Sequence, residues 1–302
     1  MFSAGSTIRR RRLWDSAGAV KTYSLARRLA ERAGLQVVLK TYYSPIPDLS
    51  ALPEGIWDEA DPLRGIDLDL DRQVASLRER LSQPIAEFSL ADGQAQGYAE
   101  LNSSYPLPDA RLLYALVRDL RPASIVELGS GQTSRVIARA CLINAAEGAP
   151  SRFTAFDPFP IAVDEALPGL AALDRVPAQE VPEEVFAELE AGDILFVDTT
   201  HTVKIGSDVN RIILRILPLL APGVVVHFHD ICLPYEYSRY LLEDYALYWA
   251  EQYLLQAFLA MNPSFEILYA TDALCRDRRA EVEGLGLAGP GESGSSFWIR
   301  RR

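Results

Sequence analysis

The feature that most constrains this chain is the run Ser124-Ile-Val-Glu-Leu128, followed at once by Gly129-Ser130-Gly131 and a helix-prone stretch from Gln132 to Ala145. A short apolar run bounded by glycines reads as a buried strand, and a strand turning straight into a helix opens a doubly wound α/β sheet. Glycines at such a turn let the backbone approach a ligand, and the free N–H groups of the helix N-terminus suit an anionic group. A tight strand-to-helix turn with no ligand has the same look, so the glycines alone name nothing.

The pattern repeats downstream. Arg152 to Phe156 reads as a strand ending in Asp157, Asp193 to Val197 as one ending in Asp198, and Val224 to Phe228 as a third. Between them, Asp109 is placed to N-cap a helix that Pro122 stops, Ser207 caps a helix through Leu220, and Tyr237 to Met261 has the periodicity of one long helix. Phe265 to Tyr269 and Ser296 to Ile299 close the chain as two strands joined by a glycine-rich link, Gly284 to Gly294. The expected fold is α/β: a Rossmann-like, doubly wound, mostly parallel seven-stranded sheet with an antiparallel C-terminal edge. Ligands of such sheets collect at the carboxyl ends of the strands. Residues 1–104 differ in texture, with a short strand expected over Leu35–Lys40 and a helix over Val74–Leu81. They read as an N-terminal cap or extension, and residues 105–302 as the main domain.

Composition limits the partners. Of 302 residues 49% are hydrophobic and 24% charged, enough to build a core. A net charge of −11 repels phosphate backbones and argues against an extended nucleic-acid interface. The dense basic run Arg9–Arg12 reads as a solvated terminus or as an anchoring arm for an anionic partner. Cys141, Cys232 and Cys275 offer no C-x-x-C pair, so neither a disulfide framework nor a structural zinc site is expected. No apolar h-region follows the N-terminal arginines, and Ile212 to Val226 is too interrupted to span a bilayer. A cytoplasmic protein with a small-molecule partner, no nucleic acid and no membrane is expected, with homo-oligomerisation left open.

Glu127 closes the first strand, where an anion suits a cationic amino or sulfonium group. Asp157 closes the next, where a carboxylate can accept from both hydroxyls of a ribose. Ser134 stands where the dinucleotide pattern G-x-G-x-x-G has its third glycine, which weakens a nicotinamide cofactor. In Val126-Glu-Leu-Gly-Ser-Gly131, Phe156-Asp157, Val197-Asp-Thr-Thr-His201 and Pro218-Leu-Leu-Ala-Pro-Gly223 the sequence resembles the class I methyltransferases dependent on S-adenosylmethionine (SAM), in particular the family 24 type. The resemblance covers roughly residues 108–302. It implies that Glu127, Gly129, Ser130 and Gly131 hold the methionine end of SAM and that Asp157 holds its ribose. The acidic adenine contact usual after the third strand is not evident near Val176 to Glu180.

The chain has three histidines, His201, His227 and His229, all at the carboxyl ends of the fourth and fifth strands beside Asp198 and Asp230. Two chemistries fit them. In one, Asp198, His229 and Asp230 hold a divalent metal that acidifies an acceptor hydroxyl, an expectation borrowed from metal-dependent O-methyltransferases of the catechol and macrocin types. The histidine ligand turns the choice from Mg²⁺ toward Mn²⁺, Fe²⁺ or Zn²⁺. In the other, His201 or His229, oriented by Asp198 or Asp230, removes the hydroxyl proton directly. His227 reads as a buried structural residue and Asp208 as a partner of a helix dipole. Tyr42, Tyr43, Tyr105, Tyr235 and Tyr237 lie in segments that could wall the crevice, and the stripe Tyr245 to Phe258 reads as core or subunit interface. The expected activity is O-methylation of a small molecule or sugar-containing metabolite. A metal-dependent oxygenase, a non-catalytic SAM-binding protein and a nicotinamide oxidoreductase remain as rivals.

Overall fold

A computed structural model describes residues 17–88, 98, 104–161, 163 and 165–302. The run Arg9–Arg12 lies outside these residues. The chain forms two compact units, one ending at Glu54 and one spanning Gly55–Arg302. The first contains α1 (Ala17–Arg32). Leu35 to Lys40, expected as a strand, is irregular there, and Leu35, Val37, Val38 and Leu39 are exposed. No neighbouring strand pairs with them among the described residues, and without a ladder β-propensity has nothing to act on.

In the second unit α2 (Leu70–Ser76) runs through a wider turn (Leu77–Leu81) into α3 (Ser82–Glu87), so the helix expected over Val74–Leu81 is present and longer. There follow α4 (Leu107–Leu120), β1 (Ser124–Leu128), α5 (Gln132–Ala146), β2 (Arg152–Phe156), β3 (Ala172–Asp174), α6 (Glu183–Ala187) and β4 (Ile194–Val197). Ser207 caps α7 (Asp208–Arg211), its hydroxyl accepting from the Asn210 amide, and the helix continues through Ile212–Ile216 into α8 (Leu217–Leu219). Then come β5 (Val225–Phe228), α9 (Arg239–Glu243), α10 (Glu251–Leu259), β6 (Phe265–Ala270), α11 (Thr271–Asp277), α12 (Arg279–Gly284) and β7 (Phe297–Arg301).

The seven strands order as β3-β2-β1-β4-β5-β7-β6. All neighbours run parallel except β7, which is antiparallel to both β5 and β6. This is the Rossmann-like, mostly parallel seven-stranded sheet expected, although its last two strands are not a simple hairpin, since α11 and α12 precede the glycine-rich link. Side chains alternate across the sheet. Ile125, Phe196 and Trp298 join one core with α4 and α5, while Val126, Leu195, Val226 and Ile299 join the other with Ile213 and Ile216. Asp193 ties two strand starts together, accepting from the amides of Ser124 (2.8 Å) and Glu190 (2.9 Å). No helix among the described residues is long and apolar enough to cross a membrane.

Two further expectations fail. Asp109 does not cap a helix: α4 begins at Leu107 with Pro106 before it, and the buried Asp109 side chain points elsewhere. The long helix over Tyr237–Met261 is two short ones, because the carbonyl of His201 takes the amides of Ala250 (2.9 Å) and Glu251 (3.2 Å) and starts α10 there.

Candidate active site

The glycine turn closes β1 against its neighbours. The Gly129 amide donates to the Phe156 carbonyl at 2.9 Å, and the Asp198 amide donates to the Leu128 carbonyl at 2.9 Å. Gly129 has φ +86°, and a Cβ there would stand 1.8 Å from the Asp198 carbonyl oxygen. Only glycine fits. At Gly131 an added Cβ would meet nothing within 4 Å, so the start of α5 faces open space.

Asp157 holds this turn from β2. Its Oδ2 accepts from the amide and hydroxyl of Ser130 at 2.9 and 2.7 Å, and its Oδ1 from the Phe159 amide at 2.7 Å. A carboxylate offers about four lone-pair sites, so acceptor capacity remains for a ligand. Glu127 lies beneath the turn, wholly buried, accepting from the hydroxyls of Thr133 (2.5 Å) and Ser134 (2.6 Å). Burial pushes its carboxyl up to about 8, against the pull of the Ser134 and Thr133 hydroxyls. Glu127 thus braces the start of α5 instead of presenting an exposed anion. The Ser134 hydroxyl, in the place of a third glycine, also accepts from the Gly131 amide at 3.1 Å.

One seam away, β4 and β5 deliver the acid–imidazole cluster. His201 Nε2 is 3.3 Å from Asp198 Oδ1 and 3.8 Å from Asp230 Oδ2, and His229 Nδ1 is 3.7 Å from Asp198 Oδ2 and 3.5 Å from Asp230 Oδ2. His201 and Asp230 both adopt left-handed backbone angles, φ +53° and +54°, which a non-glycine residue holds only where its surroundings enforce them. Both imidazoles are buried. Burial alone would lower the pKa of His229, but the charges of Asp230 and Asp198 outweigh it and raise it to about 9. His201 is likewise raised despite burial, by hydrogen bonds to Asp198 and Glu251. Burial would push Asp198 up, yet the His229 charge and both imidazole hydrogen bonds hold it well below the carboxylate range.

His227 stands apart. It stacks on Phe196 (3.8 Å), contacts the Ser296 hydroxyl (2.9 Å), and burial holds it neutral. Asp208, read from sequence as a dipole partner, accepts from the amide (2.9 Å) and hydroxyl (2.7 Å) of Thr200 and so fixes the loop that carries His201.

Three further residues escape a sequence reading. Asp109 receives the amides of Ser295 (2.8 Å) and Ser296 (3.1 Å) and lies 4.0 Å from His229. Its signal was available: positions 109, 112, 113 and 116 share one helical face, so this carboxylate had to sit on the apolar side. Ser295 donates to Asp230 Oδ1 at 2.9 Å and approaches His229 Nε2 at 3.3 Å. Glu251 contacts His201 Nδ1 at 2.8 Å and had no signal inside a stretch that reads as uninterrupted helix.

A cavity of about 870 Å³ opens over the cluster, with Asp198, His201, His229 and Asp230 on its floor and Tyr240 and Trp249 in its walls. Tyr237 lines it too, while Tyr105 is buried against His229 with ring centres 5.0 Å apart. Tyr235 lies under the Arg276 guanidinium and donates to Asp277. Tyr42 and Tyr43 belong to the first unit, where both are exposed. Among the described residues no group of three or more His, Cys, Asp or Glu side chains is arranged to hold a metal ion.

Residues 126–231 match the model of the family described as "Methyltransferase domain", Methyltransf_24. No curated protein matches the chain. Among solved structures, a methyltransferase from Geobacter sulfurreducens is 19% identical, covering 84% of this chain and 94% of its own, with a TM-score of 0.36. Cofactor-bound Rv0187 from MTB is 16% identical over 78% and 97%, TM-score 0.38. A SAM-dependent methyltransferase from Anabaena variabilis is 14% identical over 71% and 96%, TM-score 0.30. Likenesses so distant say nothing of substrate or mechanism. The segment that matches the methyltransferase-domain family runs from the glycine turn between β1 and α5 to the His–Asp cluster, so the similarity covers both parts of the candidate site.

Proposed function

We propose that the protein transfers the methyl group of SAM to a hydroxyl of a small molecule seated in the 870 Å³ cavity. The observation that carries this is the seam between Gly129 and Asp198: donor turn and acid–imidazole cluster share one backbone contact, so a ligand over Gly129–Gly131 stands beside the cavity floor. SAM lies over Gly129, Ser130 and Gly131, with its ribose at Asp157 and Glu127 bracing the turn from below. The acceptor lies against Tyr240 and Trp249, whose rings suit a sugar or planar ring.

Transfer forms a carbon–oxygen bond as the carbon–sulfur bond breaks, leaving neutral S-adenosylhomocysteine and one proton to remove. His201 and His229 are the groups able to take it, from the fraction of molecules in which the imidazole is free of its proton; Asp198 and Asp230 then stabilise the imidazolium. Holding donor and acceptor in line supplies much of the rate, since no covalent intermediate is required.

Metal assistance is a second reading, favoured by the donor set: two imidazole nitrogens and two carboxylates face one another within 3.3–3.8 Å. That chemistry suits a borderline divalent cation such as Mn²⁺, Fe²⁺ or Zn²⁺, which Asp198, His229 and Asp230 would hold with His201 beside them. When bound it would lower the pKa of the acceptor hydroxyl. Calorimetry with S-adenosylhomocysteine tests the reading first. Binding that disappears in Asp157→Ala supports it; no heat with the intact protein overturns it.

A further inference from the structure

His201 is held by one short segment of chain in three separate ways. Its ring lies against Trp249, with centres 4.5 Å apart. Its carbonyl accepts the amides of Ala250 and Glu251, which begin α10. Its Nδ1 meets the Glu251 carboxylate at 2.8 Å, and both side chains are almost fully buried, 6% and 1% exposed. The other Glu251 oxygen, Oε1, is buried with no hydrogen-bond partner, so this carboxylate is directed at one group alone. A buried carboxylate is costly without strong compensation, and here the His201 imidazole supplies it.

We propose that Glu251 is the positioning residue of this site: it binds the Nδ1–H of His201 and thereby turns Nε2 toward Asp198 and Asp230 on the cavity floor. The proposal rests on the reading above, in which His201 serves the acceptor hydroxyl. Two ring nitrogens of a histidine are distinct, and the partner of one decides what the other offers. With Nδ1 engaged, Nε2 faces the carboxylates whether it is to hold a proton, accept one or meet a cation. The left-handed backbone of His201 sets the direction of the ring, and Glu251 locks its rotation. The same segment also supplies Trp249 to the cavity wall, so the acceptor's seat and the histidine beneath it are built from one continuous piece of chain.

The test uses the full chain labelled with ¹⁵N in its imidazoles. Only three histidines contribute signals, and the His201 pair is assigned by its loss in His201→Gln. In the intact protein the His201 Nδ1–H proton is expected at low field and slow to exchange with water. In Glu251→Gln it should move upfield, because a neutral acceptor replaces a carboxylate. In Glu251→Leu it should exchange too fast to observe. Binding of S-adenosylhomocysteine, made at the other end of the seam, should stay within about twofold of the intact protein in both variants. An Nδ1–H signal unchanged in position and exchange in Glu251→Gln would overturn the proposal, and that variant keeps the test decisive even if Glu251→Leu does not fold. Should the intact protein bind no S-adenosylhomocysteine yet show the Glu251-dependent signal, the methyltransferase reading would fail and the positioning contact would stand.

Discussion

Asp208 accepts hydrogen bonds from both the amide and the hydroxyl of Thr200, at 2.9 and 2.7 Å. The carboxyl is held below its usual range because these bonds, together with others from the loop, outweigh its burial. Each bond to a buried charged acceptor stabilises by roughly 1.5–3 kcal/mol. Asp208→Asn keeps the shape and loses the charge. Urea unfolding should show a loss of about 1–3 kcal/mol, and methyl transfer should fall with it because the loop positions His201. Unchanged stability would mean that the loop is held by other contacts.

Gly129→Ala places a methyl group on the Asp198 carbonyl and forces an L-residue to φ +86°. Affinity for S-adenosylhomocysteine should fall at least tenfold, about 1.4 kcal/mol or more. Calorimetry measures it. Gly131→Ala, where a Cβ meets no protein atom, should instead disturb binding only through the ligand itself.

The histidine cluster predicts a pH dependence with a definite sign. His229 has its pKa raised from 6.5 to about 9, so in the folded state it binds a proton that the unfolded chain releases earlier. That contribution to stability is complete below about pH 6.5 and disappears as pH rises through about 9. Denaturation at pH 6, 8 and 10 should show the decline, and His229→Gln should flatten it. The rate of methyl transfer moves oppositely, rising toward pH 9 as imidazole loses its proton.

Glu127 follows the same rule with other limits. Its folded pKa of about 8 lies above the ordinary 4.5, so its contribution is present below about pH 4.5 and lost as pH rises through 8. Glu127→Gln removes the ionisation. The stability of this variant relative to the parent should therefore increase from pH 5 to pH 9, read by thermal unfolding across that range.

Exhaustive treatment with EDTA separates the two deprotonation chemistries. Activity should survive if His201 or His229 acts alone, while a loss reversed by Mn²⁺ or Zn²⁺ would select the cation held by Asp198, His229 and Asp230.

Much of the sheet is legible in the sequence because buried parallel strands are short apolar runs with glycine or aspartate at their ends: β1 and β2 fall on the expected residues, and β4, β5 and β7 within one or two. The three-residue β3 and the helices α6, α11 and α12 carry too little periodicity to read. Residues 244–250 interrupt a well-formed helical pattern because the His201 carbonyl, distant in sequence, caps α10; local periodicity holds no record of such a partner. The Asp198, His201, His229 and Asp230 cluster could be anticipated since strand ends gather at one edge. Its supporting carboxylates Asp109 and Glu251 depend on which way helices turn their faces.

The position of β7 between β5 and β6 has a consequence for how the protein comes into being. The segment leading into it supplies Ser295 to Asp230 and Ser296 to His227, and β7 itself supplies both ladders that join β6 to the rest. A nascent chain still lacking residues 295–301 would leave β5 as a raw edge and β6 without a strand partner. The chamber over the histidines is therefore incomplete until those residues have been delivered.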